Sequence, residues 1–416
     1  MVAAFLASQT RSQRTAIVTG LPLSSKCRTF VTRDSRIQCA WIVERKRARN
    51  SCAIGRLSYH IEMSLPRGVF CLLPSGRAGN SAVFNNPDVD GISIRQWWEQ
   101  MNPADGIYDW AYLDSQIGRA TTAGKMISLR IGTGSGGATE SGGSVPDWVM
   151  ALVTKTFQFI DTNSGGITRT IPAFWDTAFK RKKNKMIAAL GARYGSNQSI
   201  KIVFVGFANA QSTDWSVPDS VTVDGLGASG SSERSRWLAL GYIAEKVINA
   251  GCPASGTTGV IDAAALAFRE ATIVYSVGRT SSAPDAPSIN GLDSTKDYVA
   301  QTVLDNAMAK YGNRIAIQKD SLSKKTADNQ PYSAQPADNQ WTIIYNNPTC
   351  AGAQMLWNCF GDAAYRMNGG VADDPATILT AAVNAGVEYN TQYQEIYQTD
   401  VINLPAVISY AHNALA

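Results

Sequence analysis

The sequence predicts an α/β chain: a (β/α)8 TIM barrel with loop insertions, preceded by a basic N-terminal extension. Three observations lead there. Short β-rich runs alternate with helical patterns through residues 67–416, and such alternation implies parallel βαβ units. Eight runs can be counted, and eight units in about 350 residues suit a barrel with insertions. Several runs end in Trp, Arg and Gly instead of ordinary loop residues, most densely between Gly91 and Trp148. The rival is an open doubly wound sheet. Against it, no Gly-x-Gly-x-x-Gly follows the first run, and the Gly-rich stretch Gly132–Gly143 leads into Ser-Val-Pro-Asp-Trp without directly opening a helix.

In chain order, the expected strands are Gly68–Leu73, Gly91–Trp97, Met126–Ile131, Ile200–Phe207, Thr272–Val277, Arg314–Lys319, Ala353–Trp357 and Tyr393–Tyr397. Each is a short β-branched or aromatic run. The expected helices between them are Tyr112–Ala123, Trp175–Tyr194, Ser232–Ala250, Ala263–Arg269, Thr295–Tyr311, Gln340–Asn347 and Ala376–Ala385, with Leu404–Leu415 closing the chain. The run Lys180–Lys185 (KRKKNK) reads as a solvated helix face.

Charge is unevenly distributed. Residues 1–66 hold 11 Lys and Arg against 3 Asp and Glu, a net of +8, whereas the remaining residues carry a net of −3. The overall +5 is therefore no argument for nucleic-acid binding by the folded body. Residues 1–66 form a separate, aperiodic segment, read as disordered, as a targeting peptide, or as no part of the folded protein. Arg45–Arg49 could also be a nucleic-acid or localisation patch, and Met63 an alternative start. The apolar start Val2–Ala7 is too short for a secretory h-region, so an extracellular or periplasmic location would follow from substrate class alone. No apolar run reaches the roughly 20 residues of a membrane span.

Cys350 and Cys359 flank an apparent strand and would stand about 30 Å apart if extended, far beyond the roughly 7 Å between the Cα atoms of a disulfide. They read as unpaired. His60 and His412 are the only histidines, which argues against His-based zinc sites and Ser-His-Asp triads. Carboxylates remain for acid–base work, with no cofactor required.

Alternation along each strand selects what points into the barrel. Ile92 and Ile94 face the helix layer, leaving Ser93, Arg95 and Trp97 inside. Ile127, Leu129 and Ile131 face out, leaving Ser128 and Arg130 inside. By the same rule Gln318 faces in, as do Tyr393, Glu395 and Tyr397. In the seventh strand Gln354 or Trp357 faces in, and alternation does not choose. Asn209 follows the fourth strand. Arg95, Arg130, Gln318 and Glu395 are thus expected to converge at the C-terminal end of the barrel, where such enzymes carry their sites.

Trp97-Trp98, then Asn102-Pro103-x-x-Gly106-x-Tyr108-Asp109-Trp110-x-x-Leu113-Asp114, resembles the second strand and following helix of β-galactosidase-like glycoside hydrolases. Pro146-Asp147-Trp148 and Phe174-Trp175 extend that likeness across residues 68–220. The resemblance implies a (β/α)8 barrel, a carbohydrate substrate and paired catalytic glutamates. Two positions depart from it. Where that group places Asn-Glu after the fourth strand, this chain has Asn209-Ala210 with Asp214 nearest, and where it ends the seventh strand in Glu, this chain reads Gln354-Met355-Leu356-Trp357 before Asp362.

The catalytic expectation is therefore Glu395 on the eighth strand with Asp214 in a loop above the mouth, where a loop-borne acid has room for the water of an inverting reaction at about 6.5–9.5 Å, the stereochemical outcome staying open. The competing uses are an ion pair from Glu395 to Arg95 or Arg130, and a turn or cap role for Asp214. Trp97, Trp148, Trp215 and Trp357 are the expected sugar platforms, because pyranose C–H faces stack on indole. Arg95, Arg130, Asn209, Gln318, Gln354 and Tyr397 complete the expected binding set. The alternative function is a non-catalytic carbohydrate-binding barrel that has lost its acid, which Ala210 and Gln354 would explain directly.

Overall fold

The structure is a computed structural model that describes residues 26–31, 37–42, 65–133, 144–161, 166–204, 218, 220, 222–227, 231–276, 298–324, 341, 344–361 and 364–416. Contacts divide the chain into Met1–Ile61 and Glu62–Ala416. In the first unit, Lys26–Val31 pairs antiparallel with Ile37–Ile42. Arg45–Arg49, Cys52, His60 and Met63 lie outside the described residues.

The second unit is a closed barrel of eight parallel strands. They are Gly68–Leu72, Gly91–Trp97, Met126–Gly132, Ile200–Phe204, Thr272–Ser276, Ile315–Leu322, Ala351–Met355 and Tyr393–Tyr397. Each pairs with the next in chain order, and the eighth closes on the first with Tyr393 opposite Gly68 and Glu395 opposite Phe70. All eight expected strands form. The outward faces carry Ile92, Ile94, Ile127, Leu129, Ile273, Ile317 and Ile396 into one core beneath the surrounding helices.

The barrel interior has two zones. Leu65, Phe70, Ile202, Phe204, Val274, Ala316 and Tyr393 form a separate apolar plug. The other zone is polar and holds Ser93, Ser128, Arg130, Gln318, Gln354 and Glu395, all buried. Glycines make room for large rings across strand pairs. A Cβ on Gly91 would fall 2.3 Å from the ring of Phe70, its register partner, and one on Gly352 would fall 2.2 Å from Tyr393, its own partner. Gly132 likewise accommodates the indole of Trp97 opposite it.

Helices cover the outside much as periodicity predicts, with boundaries set by caps. Thr177–Tyr194 begins after Asp176, whose carboxylate accepts from the backbone N–H of Ala178 and Phe179. The single helix expected over Ser232–Ala250 is two, Glu233–Ala239 and Ala244–Gly251. Gly241 between them has φ +83°, a left-handed conformation that ends the first helix with its N–H on the Leu238 carbonyl. An antiparallel hairpin, Thr156–Asp161 with Ile167–Pro172, was not expected. Its Phe157 lies flat on Trp237 at 3.9 Å, and its Arg169 pairs with Asp161 at 2.6 Å. Cys71, Cys252, Cys350 and Cys359 are free thiols. Among the described residues no helix is long and apolar enough to cross a membrane.

The solvated face expected for Lys180–Lys185 is corrected at its centre. Arg181 and Lys185 are exposed, but Lys182 and Lys183 are buried. Lys182 pairs with Asp105. Lys183 lines an apolar cavity with Leu129, Ile131, Met186, Ile187 and Phe268. The helix must turn one face to the barrel, and the lysine stems are long enough to serve as apolar packing there.

Two outcomes are expected. Gly352→Ala forces the Tyr393 ring to move and lowers stability by about 1–3 kcal/mol in urea unfolding; an unchanged midpoint would show that the ring shifts freely. Burial pushes the Lys183 amine down to about 7. Between about pH 7 and 10 the unfolded chain then holds a proton that the native state lacks, so stability rises with pH across that window and this contribution is flat below it. Lys183→Met should flatten that rise in urea midpoints measured at pH 7 and 9.5, and an equal slope in both proteins would contradict it.

Candidate active site

The centre of the polar zone is Arg130, on the third strand and 1% exposed. Its Nη1 lies 3.2 Å from Glu395 Oε2, and its Nη2 lies 3.2 Å from Asp320 Oδ2. The same Nη1 donates to Gln354 Oε1. The guanidinium carbon stands 3.6 Å from the ring centroid of Phe204, its register partner on the fourth strand, so the cation lies against the apolar plug. Strand alternation brings these groups together: Arg130, Gln318 and Glu395 face inward as the sequence implies, and Gln354 joins them from the seventh strand.

Glu395 is 0% exposed. Its Oε1 accepts from Ser93 Oγ at 2.6 Å and Ser128 Oγ at 3.2 Å. Its Oε2 accepts from Gln318 Nε2 at 3.1 Å in addition to the Arg130 contact. Four donors thus occupy the roughly four acceptor positions a carboxylate offers. Gln318 also donates to Asp320 and accepts from the Tyr393 hydroxyl at 2.5 Å. Burial, then the charge of Glu395, raises the Tyr393 phenol well above its usual range, so it stays a donor.

This geometry encloses Glu395 in a network of donors. The competing use, an ion pair to Arg130, is the one the structure shows. It also supplies a carboxylate that the sequence reading missed. The sixth strand runs on to Leu322 with a register irregularity after Lys319, and Asp320 follows Gln318 on the same face. The period of two would have found it had the strand not been ended at Lys319. The Asp320 side chain is 2% exposed and lies towards the C-terminal strand end, the mouth side of Gln318.

Arg95 stands beside Arg130 in register. Its Nε donates to the Leu73 carbonyl at 2.9 Å, and its guanidinium lies 5.8 Å from the Tyr397 ring centroid. Tyr397 is 5.9 Å from the ring of Trp357, which is 40% exposed. Trp97, partly exposed, lies over Gly132 at the same end of its strand. Gln354, not Trp357, is the inward residue of the seventh strand, while Trp357 follows its end at the rim. The indole N–H of Trp148 donates to the Asn102 carbonyl at 2.8 Å, and Lys182 lies 5.2 Å from its ring centroid. Asn209, Asp214 and Trp215 fall outside the described residues, as do Ala210 and Asp362.

The motif from Trp98 to Asp114 is scaffolding. Trp98 is fully buried and donates to Asn102 Oδ1 at 3.1 Å. Asn102 donates in turn to the carbonyls of Ala104 and Ile107, both at 2.7 Å, closing the Pro-x-x-Gly turn. Gly106 there has φ +78°, a left-handed conformation that favours glycine. Tyr108 stacks on Trp110 at 4.8 Å, and Asp114 binds Arg193 and the Tyr194 hydroxyl.

Residues 81–207 match the family model of the β-galactosidases of glycoside hydrolase family 42. That span contains the whole scaffold motif. Among solved structures, the catalytic domain of β-amylase from Paenibacillus polymyxa aligns with a TM-score of 0.51 at 10% identity, covering 85% of this chain and 100% of that one. A glycoside hydrolase family 5 enzyme from Prevotella bryantii B14 aligns with a TM-score of 0.46 at 13% identity, covering 85% of this chain and 97% of that one. A β-galactosidase from the psychrophilic Marinomonas ef1 gives 0.41 at 11% identity, covering 79% of this chain and 53% of that one. The first of these shows the (β/α)8 fold. No curated protein matches the sequence.

Replacing Arg130 by Met strands two buried carboxylates and should cost about 3–5 kcal/mol in urea unfolding. Adding Asp320→Asn and Glu395→Gln should recover part of that loss. A cost under about 1 kcal/mol for Arg130→Met would mean that the cluster is screened by water.

Proposed function

We propose that the chain is a glycoside hydrolase acting on an oligo- or polysaccharide by carboxylate chemistry at the C-terminal end of the barrel. The observation that carries this is the Asp320–Arg130–Glu395 cluster in the upper interior of the barrel, beneath the aromatic residues Trp97, Trp357 and Tyr397. The family match over residues 81–207 supports the same class. Asp320 is the carboxylate a sugar entering from the mouth meets first, and it serves as nucleophile or base. Glu395 is a positioning residue: it holds Arg130 and Gln318, and both of these bind Asp320. Asp214 is proposed as the second carboxylate that hydrolysis requires, because it is the acid nearest in sequence to Asn209-Ala210, where the resembling group carries its Asn-Glu pair.

One observation favours a second reading, a barrel that binds carbohydrate without cleaving it. Asp320 and Glu395 are both nearly inaccessible and both held by Arg130, as in a purely structural ion cluster.

Kinetics separate the two. On a substrate that the wild type cleaves, Asp320→Asn should lower kcat by at least about 100-fold while sugar binding persists. Glu395→Gln should lower the melting temperature and kcat together. Sugar binding with no product from the wild type over long incubation supports the second reading. Hydrolysis by Asp320→Asn at the wild-type rate would sink the assignment of Asp320.

A further inference from the structure

Arg95 has a feature that hydrolysis of a neutral sugar does not use. Its Nε is fixed on the Leu73 carbonyl, which sets the plane of the guanidinium. Among the described residues its two Nη groups donate to no side chain or carbonyl, and no carboxylate pairs with it. The nearby acids, Asp320 and Glu395, are both bound to Arg130. Burial draws the Arg95 pKa below the usual value, and the Arg130 charge adds to this; Tyr397, Glu395 and Asp320 act in the opposite sense. The guanidinium is therefore a partly buried cation with an open fork beside the Tyr397 ring.

A second cation stands on the outer side of the same aromatic pair. The exposed Arg366 places its guanidinium 4.4 Å from the Trp357 ring centroid, and Trp357 is 5.9 Å from Tyr397. A saccharide lying along Tyr397 and Trp357 would meet an arginine at either end. A fork anchored at Nε presents two N–H groups in the geometry that carboxylates and sulfates accept in pairs, and a lysine could not do the same.

We propose that the barrel takes an anionic saccharide, with a carboxylate or sulfate group of the sugar bound by the Arg95 fork against Tyr397. This rests on the reading of the barrel as a sugar site and names its substrate class.

Calorimetric titration of the full chain with tetragalacturonate, a sulfated carrageenan tetrasaccharide and neutral galactotetraose tests it. The wild type should bind one acidic probe at least about 10-fold more tightly than the neutral one, and which probe wins tells uronate from sulfate. Arg95→Gln should remove about 10–100-fold of that affinity and lower binding of the neutral sugar by a much smaller factor, so that the preference for the acidic probe is lost. Arg95→Lys should restore a minor part, since it keeps the charge and loses the fork. Melting temperatures of both variants show whether the barrel is intact, and if Arg95→Gln fails to fold, Arg95→Lys carries the comparison. Equal affinity for acidic and neutral sugars, or an acid preference that survives in the variants, overturns the proposal while leaving the hydrolase reading in place. Failure to bind any member of a broad array of neutral and acidic glycans removes both.

Discussion

One buried guanidinium organises the interior of this barrel. Arg130 is surrounded by groups from the fourth, sixth, seventh and eighth strands: Phe204, Asp320, Gln354 and Glu395. Ser93 and Ser128 extend the network to the second and third. Burying one cation with two carboxylates is costly unless further hydrogen bonds accompany the ion pairs, and here Ser93, Ser128 and Gln318 bind Glu395 while Gln354 binds Arg130. The plug supplies the Phe204 ring against Arg130, and the inward glycines Gly91 and Gly352 leave room for Phe70 and Tyr393.

The segment that most resembles the β-galactosidases does mechanical work. Trp98, Asn102, Tyr108, Trp110 and Asp114 tie the turn after the second strand to the helices Ala111–Thr122 and Thr177–Tyr194. A scaffold of this kind fixes where the second and third strands end, and thereby where Arg95, Trp97 and Arg130 stand. It says little about which carboxylate performs chemistry, so the match over residues 81–207 and the altered residues at the strand ends are compatible. Fold and site vary independently in barrels, because the site is built from strand ends and loops.

Much of this was legible in the sequence because strand alternation is a strict local rule. The inward placement of Ser93, Arg95, Arg130, Gln318 and Glu395 follows from the apolar residues between them. What failed to show depended on partners distant in sequence. Nothing local reveals that Glu395 is sealed by Ser93, Ser128 and Gln318, which lie 302, 267 and 77 residues away. Asp320 was lost to a strand boundary, the least secure part of any such reading, and the Thr156–Pro172 hairpin to its short alternating runs. Lys182 and Lys183 appeared solvated because composition cannot tell a stem that packs from one that floats.

The proposed role of Asp320 is to be the carboxylate that meets the sugar. The most direct measurement is a crystal structure of D320N soaked with an oligosaccharide that the wild-type protein cleaves. The account predicts a sugar seated between Trp357, Tyr397 and Trp97, with its anomeric carbon within about 3–3.5 Å of the residue 320 side chain. A sugar bound elsewhere on the barrel, with the Arg130 cluster untouched, would contradict it.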